Sequence, residues 1–198
     1  MYPKCLRDLI ECFKEFPGIG DKTAERMTFS LIDFDKEKLT EFSDAIISAR
    51  DNLGRCLVCN NLADGDLCAI CKNDSRNHKV IFVVENAKDV MLFEKIGAYN
   101  GVYHVLDGLI SPLDGIGPND IKIGQLLDRI EKNDVSEVIL ALRPNIEGET
   151  TMQYIKKLLS NRSIKVSKLA SGIPIGTDME YIDSMTLELA IDERKELS

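Results

Sequence analysis

The sequence predicts an α/β fold: a parallel sheet with helices on both faces in the second half of the chain, preceded by a helical region and a compact four-cysteine knuckle. Three observations carry this. From Lys79 onward, short β-branched runs alternate with helical patterns, the arrangement that builds parallel sheets through crossover helices. Before the cysteines, apolar residues recur at helical spacing. Between the two lie Cys56-x-x-Cys59 and Cys68-x-x-Cys71, two pairs eight residues apart.

Leu6, Leu9, Ile10 and Phe13 share a face of the first helix, with Cys5 and Cys12 beside them as expected small core residues. That helix ends near Phe16, because Pro17 follows and Gly18 can take positive φ. The stretch Phe16–Met27 (FPGIGDKTAERM) then forms a tight turn into a second helix. Gly18 and Gly20 carry no side chains, so backbone N–H groups there can approach a phosphate at the positive end of that helix. Ile19 is expected to pack inward and pin the turn. Lys22 and Arg26, four apart, can both lie along one nucleic-acid strand. The bland alternative is a glycine turn between helices with solvated charges, and Asp21 and Glu25 weaken the local field. A third helix, from about Asp35 to Leu53, presents Leu39, Phe42, Ile46, Ala49 and Leu53 as a stripe expected to be core.

A CxxC knuckle directs two sulfurs at one point, and two knuckles supply the four tetrahedral thiolates that Zn²⁺ prefers. Asn60, Asn61, Gly65 and Asp66 are turn formers that let the intervening segment double back. Two disulfides are the competing reading, but nothing in the chain suggests secretion. Four cysteines leave no open coordination position, so the expected zinc is structural. Arg55, beside the first knuckle, is either a DNA contact or an ordinary surface arginine.

The 198 residues are 44% apolar and 29% charged, with a net charge of −8. That is ordinary globular composition. The charge excludes a surface that coats nucleic acid broadly and leaves room for one local, salt-sensitive contact. No leader peptide is expected from Met-Tyr-Pro-Lys-Cys, and no apolar run approaches the roughly 20 residues of a membrane span. A cytoplasmic protein with reduced thiols is expected.

In the second half, strands are expected at Lys79–Glu85, Val102–Leu106, Glu137–Leu142 and Lys165–Ala170, and helices at Ala87–Ile96, Ile121–Lys132 and Glu149–Ser160. A boundary is expected near Asn77, between a helical-plus-zinc half and the α/β half. Ligands of such sheets sit at the carboxyl ends of the strands, where Glu85, Glu147 and Glu149 fall. His104 is expected as a core or edge histidine. In the glycine- and proline-rich loop from Asp107 to Asp120, Ile110, Leu113 and Ile116 are expected to dock, on the domain or on a neighbouring subunit. A last helix carries Met185, Leu187 and Ile191, and the charged tail Asp192–Ser198 is expected to fray.

Phe16–Met27 resembles a helix-hairpin-helix motif. Together with the tetracysteine, VVENAKDVMLFE, YHVLDGLISPLDGIGP, RPNIEGE and LASGIPIGTDMEYID, in this order, the whole chain resembles the RecR family of bacterial recombination mediators. The resemblance implies a helix-hairpin-helix DNA-binding region at 1–53, a C4 zinc finger at 54–77, a Toprim domain at 78–170 and a C-terminal assembly segment at 171–198. It further implies homodimer or homotetramer rings around DNA that act with RecO and RecF to help load RecA onto SSB-covered single strands or gaps. By motif, Gly18, Gly20, Lys22 and Arg26 would face DNA; Cys56, Cys59, Cys68 and Cys71 would hold zinc; Glu85, Glu147 and Glu149 would form an acidic cluster toward RecO. Two positions depart from the family pattern. Arg143 follows Leu142 where a Thr-Asn pair is usual, and Ser171 stands where an arginine is usual. Arg143 beside the cluster would neutralise it and lower any Mg²⁺ affinity.

Catalytic Toprim domains pair one glutamate with an Asp-x-Asp that chelates Mg²⁺. Here the second element is Glu147-x-Glu149, so a non-enzymatic clamp is expected. A Mg²⁺-dependent nuclease or topoisomerase-like enzyme is the alternative, with Tyr103 or Tyr154 open as its nucleophile. A zinc-stabilised protein-interaction module without nucleic acid is a third reading.

Overall fold

The computed structural model describes residues 2–170, 172–192 and 194. Ser171 and most of the tail expected to fray lie outside the described residues. The chain forms two compact units, Met1–Leu53 and Gly54–Ser198.

The first unit is three helices: α1 (Lys4–Lys14), α2 (Asp21–Ile32) and α3 (Lys36–Asn52). Asp35 caps α3 by accepting from the Lys38 N–H at 2.8 Å. Helices α1 and α2 pack together, with Ile10 of α1 and the i, i+4 pair Ala24 and Thr28 of α2 buried. No residue of α3 is buried. The Leu39–Leu53 stripe is therefore not core in this chain: Phe42 is 45% and Ile46 57% exposed. Amphipathic spacing shows that a face wants cover, not that the same chain supplies it. Cys5 and Cys12, expected as core, are also exposed.

The second unit opens with the knuckle. A two-residue antiparallel ladder joins β1 (Gly54–Arg55) to β2 (Leu62–Ala63), and the short helix α4 (Ala69–Lys72) follows. The remaining elements are β3 (Asn77–Val84), α5 (Ala87–Ile96), β4 (Gly101–Val105), α6 (Ile123–Lys132), β5 (Glu137–Ala141), α7 (Ile146–Leu159), β6 (Lys165–Lys168) and α8 (Ser184–Asp192). Four strands pair in parallel in the order β4-β3-β5-β6. Residues alternate between faces. Ile81 and Val83 meet the α6–α7 side with Leu126, Ile130 and Ile155, while Phe82 and Val84 meet Val90 of α5. The predicted α/β class and each predicted strand are present, with ends shifted by a residue or two.

The knuckle belongs to the same compact unit as the α/β layers, whereas the change of pattern near Asn77 places a boundary after it. Ile70 of α4 touches both faces of the sheet core and the cysteine cluster. Helix α7 begins at Ile146, three residues before the expected start. Asn145 caps it, its side chain accepting from Gly148 N–H at 2.8 Å. Gly148 is required there, because a Cβ would meet the Arg143 carbonyl at 1.8 Å. In the Asp107–Asp120 loop, Ile110 is buried and Ile116 half-buried against the domain, whereas Leu113 stands 96% exposed at the tip.

Candidate nucleic-acid contact, zinc knuckle and acidic cluster

The four cysteine sulfurs converge. All lie within 4.8 Å of one another, and Cys59 Sγ is 3.6 Å from Cys68 Sγ. In a tetrahedron of Zn–S bonds of about 2.3 Å, sulfurs sit about 3.8 Å apart, whereas a disulfide needs about 2.05 Å. All six cysteines are free thiols, which sets the disulfide reading aside. The backbone explains the convergence. Cys56 N–H donates to Asn61 O at 2.8 Å, Asn60 N–H to Cys56 O at 2.9 Å, and Asn60 takes a left-handed φ of 59° that asparagine tolerates. Cys68 begins α4 and accepts from the Cys71 N–H at 3.4 Å. The neighbouring thiol of Cys59, then that of Cys71, then these helix-start N–H groups hold the Cys68 thiol well below its usual range.

The knuckle covers the free edge of the sheet. β4 is an edge strand; its Val105 N–H donates to Cys59 O at 2.8 Å, and Val105 O accepts from Asn60 Nδ2 at 3.1 Å. Edge strands expose unpaired backbone groups, and such cover satisfies them. Arg55 closes the arrangement, donating to Asp107 Oδ1 at 2.9 Å and to Asn60 O at 3.2 Å. It is a clasp between knuckle and sheet rather than a free surface arginine. The signal for it was Asp107, a non-glycine residue at φ 63°, which sequence reasoning does not reveal.

In the first unit, Gly18 has φ of +79°, the left-handed conformation the turn needs, whereas Gly20 is extended and starts α2 without a side-chain cap. The Asp21 and Lys22 N–H groups stay open among the described residues, while Thr23 N–H donates to the Gly20 carbonyl at 3.0 Å. Ile19 is half-buried as expected. Lys22 and Arg26 are exposed on α2, and neither joins an ion pair among the described residues. Asp21 pairs with Lys14 at 2.9 Å, which offsets one of the two nearby acids.

The acidic residues lie past the ends of neighbouring strands, Glu85 after β3 and Glu147 and Glu149 in the first turn of α7. They do not gather into a metal site. Arg143 pairs with Glu85 at 2.7 Å, the neutralisation its position implied. Lys168 approaches Glu149 to 3.8 Å. Glu147 and Glu149 are two apart on a helix, so their side chains diverge. Among the described residues the only group of three or more potential metal ligands is the cysteine set. Glu149 and Lys168 border a cleft of about 450 Å³ at the ends of β5 and β6, shared with Met152, Asp183 and Met185. Tyr103 is 1% exposed, with burial pushing its hydroxyl up, and donates to Glu94 at 2.8 Å, which removes it as a nucleophile. His104 is fully buried.

A three-helix unit with a glycine corner, a tetrathiolate knuckle and a Toprim-type sheet define a class of zinc-bearing proteins of DNA metabolism. Four family models match successive parts of the chain: the RecR helix-hairpin-helix at 6–50, the RecR four-cysteine zinc finger domain at 53–73, the Toprim domain at 79–170 and the RecR C-terminal region at 172–195. The chain belongs to the RecR family. That membership gives it a role in recombinational DNA repair, and Cys56, Cys59, Cys68 and Cys71 are the donors of a structural zinc ion. No helix among the described residues is long and apolar enough to cross a membrane.

Proposed function

We propose that this protein is a non-enzymatic DNA-binding ring that acts with RecO and RecF to help load RecA onto SSB-covered single-stranded or gapped DNA. The observation that carries the DNA contact is the exposed couple Lys22 and Arg26, without an ion-pair partner among the described residues, one turn apart beside the N-terminus of α2 and the Gly18–Gly20 corner. Backbone amides plus two cations bind phosphate without reading sequence. With a net charge of −8 over the chain, contact is confined to this face. Exposed apolar side chains on α3 and on the C-terminal segment, such as Ile46 and Tyr181, support assembly into dimers or tetramers. The acidic residues Glu85, Glu147 and Glu149 serve as a docking surface for RecO. Their ion pairs with Arg143 and Lys168 and their divergence on α7 favour this over Mg²⁺-dependent cleavage or relaxation of DNA.

The test is the double variant Lys22→Ala/Arg26→Ala, titrated against single-stranded and gapped DNA by fluorescence anisotropy at several salt concentrations. The slope of log affinity against log salt should fall by about 2, with melting unchanged. Wild-type affinity in a fully folded double variant would exclude this contact. Magnesium-dependent DNA cleavage that disappears in Glu85→Gln would overturn the non-enzymatic reading. A monomer at micromolar concentration, with and without gapped DNA, would overturn the ring.

A further inference from the structure

One buried charge lacks a carboxylate. Arg129 of α6 is 7% exposed, and no ion pair among the described residues includes it. Its Nη1 donates to the Tyr103 carbonyl at 2.6 Å. A carbonyl satisfies one of the five guanidinium donors and supplies no compensating charge. A buried cation without an anion nearby is strongly destabilising.

The cysteine cluster meets the same strand edge. Tyr103 lies two residues before Val105 on β4, so both carbonyls face the same outer edge of the strand. Val105 is the residue that Cys59 and Asn60 of the knuckle grasp. Arg129 thus meets β4 on the edge where the cysteine cluster is seated, and α4, which carries Cys71, packs against β4 as well. One turn earlier on the same face of α6, Gln125 Nε2 donates to the Leu57 carbonyl of the first knuckle at 2.7 Å. Four thiolates around one divalent zinc leave an excess of negative charge in a buried place.

We propose that Arg129 is the counter-charge of the zinc centre: its guanidinium, held by the Tyr103 carbonyl at the rim of the knuckle, offsets the excess negative charge of the tetrathiolate zinc and tightens the protein's hold on the ion. The sheet and the metal then stabilise each other, because α6 supplies the charge and the knuckle supplies the edge cover. Partners of metal ligands typically change metal affinity by about 10–100-fold when removed.

The full-length, zinc-loaded protein is competed against a chromophoric zinc chelator, alongside Arg129→Met and Arg129→Lys. The methionine variant should bind zinc about 10–100-fold more weakly. The lysine variant should stay within about threefold of wild type even if its melting temperature falls, because it keeps the charge and loses only the fork geometry. A methionine variant whose zinc affinity matches wild type overturns the proposal. So does a lysine variant that loses as much zinc affinity as the methionine variant, which would assign Arg129 to packing alone. If the methionine variant does not fold with zinc, the lysine variant decides: retained affinity supports the charge, and loss overturns it.

Discussion

The two compact units hold together on different terms. The α/β unit buries Ile81, Val83, Val84, Leu126 and Ile155 almost completely, on both faces of one sheet. Each such side chain stabilises the fold by roughly 1.5–3 kcal/mol. Among its described residues the helical unit buries only Ile10, Ala24 and Thr28; it leaves Phe29 and Ile47 exposed, and Phe16, Phe42 and Ile46 exposed around a groove of about 610 Å³. Three small or medium side chains do not offset the chain entropy of about fifty ordered residues. Helices can be specified locally while their apolar faces are left without cover from their own unit. The α/β unit, by contrast, carries its own core and a knuckle that covers one edge of its sheet.

The largest blow to the self-sufficient unit is loss of the metal. Cys59→Ser should abolish stoichiometric zinc and lower the unfolding temperature of the α/β unit by roughly 10 °C, because metal-binding free energy here is folding free energy. Metal analysis and calorimetry check this, and a variant that keeps both its zinc and its melting point would contradict the structural role. Next comes Ile155→Ala, which removes a fully buried side chain and should cost about 2–5 kcal/mol in urea unfolding. The smallest effect is expected at Ile46→Ala, 57% exposed: within about 0.5 kcal/mol in dilute solution. A cost several times larger at higher protein concentration would show that assembly covers α3, and would erase the contrast between the units.

Between these extremes lies a pH effect confined to the α/β unit. His104 Nε2 faces the Lys122 carbonyl at 2.9 Å, so it carries the proton, and Nδ1 has no partner among the described residues. Burial pushes its pKa down to about 4. Above the ordinary pKa near 6.5 both folded and unfolded forms are neutral and nothing changes. As pH falls below it the unfolded chain takes up a proton that the folded one refuses. Stability should therefore drop by roughly 2 kcal/mol between pH 7 and pH 5. Urea midpoints across that range measure it, and His104→Asn should flatten the slope. An equal slope in that variant would assign the effect to other groups.

Much of this architecture was legible in the residues. KVIFVVE and EVILAL are short, β-branched and apolar throughout, which only a strand buried on both faces uses well. The paired CxxC spacing shows its chemistry without any fold, since two residues between cysteines is what lets one backbone turn aim two sulfurs together. The α3 stripe was legible as a stripe and misread as core, because a period says which side is apolar and not what covers it. The start of α7 falls three residues before the expected one, at Ile146; Gly148 lets the helix pass the Arg143 carbonyl, a contact that spacing alone does not show. Arg55 and Arg129 carry no local mark at all.

Short-range rules were enough for the class of fold, the metal donors and the glycine corner with Lys22 and Arg26, since each depends on neighbours within one or two turns of chain. Distant partners settled the rest: Arg55 against Asp107, Arg143 against Glu85, the knuckle on the edge of β4, and the uncovered face of α3. The two arginine pairings join residues more than fifty positions apart. Charge and burial act through space, so they take values only once the chain has closed on itself.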